Sequence, residues 1–266
     1  VRGRRSAASL PKQMQLFSKE YGQGRAIVLL HGLFGSSDNW HYVAMQFSEH
    51  FRVFPLDLRN HGQSPHSDEM SYPLMAADIA DFLDSKGIEI AIIIGHSLGG
   101  KTAMRFALQF PERVEKLIVE DMAPRAYASV YEDFMVAMLA LDLVKFQTRQ
   151  QVEEALASEI PDLTLRRFLL KNLGRNSDGK FFWKIYLDGI RKNAAQLREL
   201  ISSAQPFEKP ALFIRGEKSD YIRTEDENGI RQLFPKAKIE TIPGAGHWVH
   251  SEKPEEFMRA VREFLR

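Results

Sequence analysis

A chain of 266 residues can bury one large core, or a core with an insertion. Its 36 lysines and arginines against 35 acids leave a net charge of +1, so there is no electrostatic ground for a nucleic-acid or anionic-membrane partner. The absence of cysteine excludes disulfides, thiolate catalysis and cysteine-ligated zinc, and no apolar run nears the ~20 residues of a membrane span.

Residues 1–13 hold Arg2, Arg4, Arg5 and Lys12 with no acid. They read as a disordered or expression-derived tail, with a transit-peptide remnant as the alternative. Apolar runs then alternate with helical spacing. Strands are predicted over 27–30, 53–56, 90–94 and 116–119, and helices over 72–86 and 98–110, the second stopping before Pro111. The runs are nearly all apolar, as parallel strands covered on both faces should be, and the alternation points to an α/β doubly wound sheet.

That rhythm breaks between about Pro124 and Gln205. Helices are predicted there over 131–146, 149–158, 163–173 and 183–203, punctuated by Pro161 and a turn at 176–179. Strands resume at 211–215 and 239–242, and a last helix spans 254–265 with proline in its first turn. The middle segment reads as a helical insertion lying over the strand ends as a lid. The expected division is a core of 14–123 and 206–266 with a helical cap of 124–205.

The chemistry is concentrated where the β-branched run 90–94 meets the helix after Ser97. Glycine lies two residues to either side, at Gly95 and Gly99. Such a turn strains the serine backbone and lifts its hydroxyl clear of the sheet, beside the free N–H groups of a helix start. A serine needs a base, and histidine, with an unperturbed pKa of about 6.5, is the usual one. His247, in a glycine-rich loop after the last strand, is the strongest candidate; His250 is the runner-up, read as packing against or capping the next segment. The N–H of Leu98 is one expected oxyanion donor. The other is Leu33, turned by Gly32 in the loop after 27–30. His31 is read as a brace for that loop and Phe34 as acyl-pocket lining. The third triad member is open among Asp121, Asp220 and Asp188. Asp57 and Arg59 are expected to knit a loop beneath the site through a salt bridge and turn hydrogen bonds. Trp248, Phe134, Met135, Met138, Phe181, Phe182 and Trp183 are further candidates for the pocket wall.

From Leu16 to Arg266 the chain resembles the α/β-hydrolase superfamily. The tracts His31 to Gly35, Arg59 to Gly62, Gly95 to Lys101 and Gly244 to His250 are similar to those of the small YbfF-type esterases and their mitochondrial relatives. The resemblance implies an α/β-hydrolase fold with a mostly parallel doubly wound sheet and a helical cap. It implies a serine carboxylesterase acting on a small-molecule ester of short-to-medium acyl length, with thioesters as an extension. An acyltransferase is the enzymatic alternative and a non-catalytic ligand receptor the remoter one. No cofactor or metal is implied, and the location expected is cytoplasmic, or the mitochondrial matrix in a eukaryote. Most members of the superfamily place the acid where this chain has Ser219. YbfF-like esterases place it after the preceding strand, in an Asp-x-Ala-Pro tract matching Asp121 to Pro124, with a serine matching Ser219 bonding near the histidine. The resemblance therefore favours Asp121 over Asp220 and Asp188.

Overall fold

Leucine and β-branched side chains that alternate between two faces build the centre of the molecule. In β1 (Arg25–Leu30), Ile27 and Leu29 pack to one side and Val28 and Leu30 to the other. In β3 (Ala91–His96), Ile92 and Ile94 face away from Ala91 and Ile93 in the same manner. Burial on both faces is what makes these strands read as continuous apolar runs. Each fully buried Ile or Leu contributes roughly 2 kcal/mol through transfer from water.

In this computed structural model, which describes residues 14–128 and 131–266, the sheet has six parallel strands. They are β1, β2 (Phe51–Leu56), β3, β4 (Val114–Glu120), β7 (Ala211–Gly216) and β8 (Ala237–Ile242), in the order β2-β1-β3-β4-β7-β8. The intervening β5 (Leu173–Arg175) and β6 (Phe181–Trp183) form a separate antiparallel hairpin. On one face lie α2 (Tyr72–Ser85) and α3 (Leu98–Gln109); on the other lie α1 (His41–Phe47) and α11 (Pro254–Leu265). The chain leaves β1 for one sheet edge and returns to β3 on the other side, so the carboxyl ends of β1 and β3 flank a topological switch point, where open α/β sheets place their sites. The basic tail of residues 1–13 lies outside the described residues.

Between β4 and β7 the segment differs from its expected elements. It contains α4 (Glu132–Leu139), α5 (Arg149–Ala155), α6 (Leu163–Leu169), the β5–β6 hairpin, α7 (Leu187–Lys192) and α8 (Ala194–Arg198). The expected helix 163–173 ends early, and the turn after it closes a hairpin. The Asn176 side-chain oxygen accepts from Asp178 N at 3.1 Å and Lys180 N at 2.9 Å, while Gly179 takes φ 76. The expected helix 183–203 is interrupted at Asn193, whose side chain donates to Asp68 O at 2.8 Å and Gly189 O at 2.7 Å. It stops at Glu199, which is extended at ψ 153. The expected helix 131–146 stops at Leu139, its remainder forming only a 3₁₀ turn over Leu143–Lys145. Three further helices have no counterpart among the expected elements: α1, α9 (Glu227–Leu233) and α10 (Val249–Glu252). Among the described residues no helix is long and apolar enough to cross a membrane.

Candidate active site

Ser97 ends the short turn between β3 and α3 with φ 52 and ψ −114, a conformation costly for a residue with a Cβ. The surrounding packing holds it there. A Cβ on Gly95 would lie 2.2 Å from Gly99 O, and one on Gly99 would lie 2.3 Å from Leu30 O, so strand and helix approach too closely for any other residue. Ser97 N donates to Glu120 O at 3.2 Å, tying the turn to the end of β4.

A buried carboxylate follows the end of β4. Asp121 is fully buried and sits at φ 48, its N–H donating to Ile214 O at 2.7 Å. Its Oδ1 accepts from Gly216 N at 3.1 Å. Its Oδ2 accepts from His247 Nδ1 at 2.7 Å and from the Ser219 hydroxyl. A neutral imidazole that donates from Nδ1 keeps an open lone pair on Nε2. The His247 ring stacks on Tyr221 with centroids 3.8 Å apart and planes 18° apart. Asp220, by contrast, has a side chain 91% exposed and makes only a loose 4.0 Å pair with Arg223. The one-residue offset turns it outward, away from His247. Asp188 is exposed in the first turn of α7.

A second carboxylate–imidazole pair lies directly beside the first. Buried Glu120 accepts from His250 N at 2.8 Å and meets His250 Nδ1 at 2.8 and 2.9 Å, while Trp40 stacks on the same ring with centroids 4.5 Å apart. Burial pushes the Glu120 carboxyl up, but His250, His96 and the hydrogen bonds from His250 outweigh it and hold the group below the usual carboxylate range. His96, next to the serine, donates from Nε2 to His247 O at 3.0 Å. Burial holds His96 down at about 3, against the opposing pull of Glu120, so it stays neutral. Glu120 and His96 escaped the sequence reading, although each adjoins a residue that was singled out.

His31 braces the loop after β1. Its Nδ1 donates to Gly32 O at 2.8 Å and its Nε2 accepts from Leu58 N at 3.0 Å. Phe34 N donates to His61 Nε2 at 3.3 Å, Phe34 O accepts from Asn172 at 2.8 Å, and Gly35 N donates to Gly32 O at 2.9 Å. A Cβ on Gly32 would lie 3.3 Å from Ser97 Cβ, so this loop passes directly over the serine and brings Leu33 beside Leu98 on the cleft wall. Beneath it Asp57 accepts from Ser37 N at 2.6 Å and Gln63 N at 2.8 Å. Arg59 forks onto Asp78 at 2.6 and 2.7 Å, because its guanidinium points back to α2.

Two clefts meet at Ser97. The first, about 630 Å³, is walled by Leu98, Met122, Met135, Tyr131, Tyr221 and Lys101. The second, about 490 Å³, is walled by Phe34, Trp40, His96, His247, Trp248 and Phe168. Of the further candidates for the wall, Met135 borders a cleft, whereas Met138 is buried in the packing, Phe181 lies under Arg175 and Phe182 faces outward. The tyrosines of the first cleft arrive from separate elements, so no local pattern announces them. Among the described residues no group of three His, Asp or Glu side chains is arranged to hold a metal ion.

Comparison with known proteins agrees with this architecture. A family model described as "alpha/beta hydrolase fold" matches residues 25–254. The chain is 40% identical over 248 residues to the mouse (Mus musculus) sn-1-specific diacylglycerol lipase ABHD11, covering 90% of this chain and 80% of that protein. It is 36% identical over 246 residues to esterase YbfF of Escherichia coli, covering 90% and 92%. A solved marine microorganism esterase superposes with TM-score 0.92 at 43% identity, covering 94% of this chain and 99% of that one. With its parallel sheet, its strained serine turn and these matches over most of its length, the chain belongs to the α/β-hydrolase family.

Proposed function

We propose that the protein is a serine carboxylesterase in which Ser97, His247 and Asp121 form the catalytic triad. The observation that carries this reading is the 2.7 Å bond from His247 Nδ1 to buried Asp121, with His247 and Ser97 on the wall of one cleft. His247 Nε2 takes the serine proton as Ser97 Oγ attacks the ester carbonyl. The Leu33 and Leu98 N–H groups receive the oxyanion, and Asp121 stabilises the imidazolium. His247 then protonates the departing alcohol, and water releases the acid by the reverse sequence.

The two clefts divide the substrate. The imidazole must reach the leaving oxygen, and His247 borders the second cleft, so the alcohol occupies that side. The acyl chain then runs into the first, whose apolar walls suit short-to-medium chains. The segment 124–205 acts as a cap on the core of 14–123 and 206–266, supplying Tyr131, Met135 and Ile190 to the acyl side.

The test is hydrolysis of p-nitrophenyl esters of increasing chain length by the wild type and by Ser97→Ala. Activity should fall by roughly 10³-fold or more in the variant, the residue being the work of the oxyanion site and binding. Undiminished turnover would sink the reading. Product analysis with an added alcohol separates hydrolysis from acyl transfer, which shares the same acyl-enzyme.

A further inference from the structure

A buried cation stands at the inner wall of the acyl cleft. Lys101 lies one helical turn after Ser97, its N–H donating to Ser97 O at 3.0 Å, and only 1% of the residue is exposed. Its ammonium has three donors, of which one goes to the backbone oxygen of Glu199. The ring faces of Tyr127 and Tyr72 lie 5.0 and 5.4 Å from Nζ. The charge of the Glu199 carboxylate acts on it as well, opposing the cost of burial. The nearby Glu132 is engaged with Arg198 at 3.3 Å. A lysine is rarely buried without a partner, because desolvating its charge is costly.

Resting on the triad reading above, we infer that Lys101 is a specificity residue that receives a carboxylate on the acyl portion of the substrate, so that the preferred esters are half-esters of short dicarboxylic acids. The acyl chain enters the cleft that Lys101 borders, while the alcohol lies on the His247 side. The aliphatic lysine stem and the apolar wall hold the methylenes, and the ammonium meets the distal carboxylate. One helical turn separates the acylated serine from the lysine, which favours chains of only a few carbons. Burial, and after it the charge of Arg125, pulls the free ammonium down to about 7, with Glu199 opposing. An incoming carboxylate adds a counter-charge that meets the ammonium directly. The covalent steps are unchanged: the acyl C–O bond breaks as the Oγ–acyl bond forms, and His247 gives the serine proton to the alcohol. Water then restores Ser97 and frees the diacid; the distal carboxylate takes no part.

The experiment compares mono-p-nitrophenyl glutarate with p-nitrophenyl pentanoate, substrates that differ in the terminal carboxylate. The kcat/KM ratio of charged to neutral ester should fall by about tenfold or more in Lys101→Met and recover in part in Lys101→Arg. A ratio within about threefold of wild type, whether or not both activities drop, would show a merely structural lysine and overturn the inference. If Lys101→Met fails to fold, product inhibition of the wild type decides. Free glutarate should inhibit at about tenfold lower concentration than pentanoate, and equal inhibition rejects the idea. Ser97→Ala separates the two proposals. If it retains turnover of both esters the triad reading falls; if it abolishes both while the ratio is insensitive to Lys101, only the specificity reading falls.

Discussion

One carboxylate at Asp121 receives hydrogens from three groups: Gly216 N, the Ser219 hydroxyl and His247 Nδ1. The first two fix its plane, so that the second oxygen stays aimed at the imidazole. An asparagine in this place keeps the shape and tolerates the positive φ of 48, since Asn enters the left-handed region more readily than most residues. It presents an amide that cannot both accept from Nδ1 and keep its other bonds. Asp121→Asn is therefore expected to fold normally and to lose roughly 10³-fold or more in kcat on a short p-nitrophenyl ester. Asp220→Asn, altering an outward side chain, should stay within about twofold. Steady-state kinetics with circular dichroism as the folding control reads both. A larger loss from the second substitution would reverse the assignment.

At the level of elements, β4 ends in two adjacent acids that grip the same distal loop. Asp121 holds His247, and Glu120 holds His250 at the start of α10 (Val249–Glu252), so the last loop is pinned at two points three residues apart. His96 adds a third by donating to His247 O. Glu120→Gln replaces one acceptor oxygen of this buried pair with an amide nitrogen that cannot accept, which should cost about 2 kcal/mol of unfolding free energy. Because the imidazole then sits less firmly, kcat should fall with KM little changed. Denaturant unfolding together with kinetics tests this, and an unaltered midpoint would remove the clamp from consideration. The sequence announces the strands and the serine turn because their signals are local: a buried run, two flanking glycines, a helical period. It is silent on Glu120, whose partner lies 130 residues away, and on Tyr72, Tyr127, Tyr131 and Tyr221, which converge from different elements. The helices between β4 and β7 are shorter than their apolar period predicts for a related reason. Their ends are set by Asn193 and by the Asn176 turn, through bonds to neighbours that a helical period does not register.

Across the whole molecule, the polar core at the carboxyl ends of the strands is built largely from neutral histidines, and this sets how the fold responds to acid. His31 and His61 lie with ring centroids 5.0 Å apart beneath the loop over Ser97, and His96 lies beside it. Burial depresses all three, His61 and His96 to about 3. In the unfolded chain these groups take up protons below about 6.5, whereas the folded state refuses them until far lower pH. Their contribution is thus fully present above about pH 6.5 and is lost as pH falls toward 3. At pH 5 the loss amounts to on the order of 2 kcal/mol for each of His61 and His96. Glu120 and Lys101 act outside this window. The Glu120 carboxyl, lowered in the fold, matters mainly below its unfolded range near 4.5. Lys101, held at about 7, alters stability between there and its ordinary 10.5. Between pH 7 and pH 5 the histidines should therefore dominate, and the melting temperature should drop by roughly 10 °C. Calorimetry at the two pH values measures it. His61→Gln together with His96→Gln, which cannot titrate, should flatten that dependence even if the protein is less stable at both. A melting temperature that holds to within about 2 °C from pH 7 to 5 would mean that water or a relaxed fold reaches these rings, contrary to their burial.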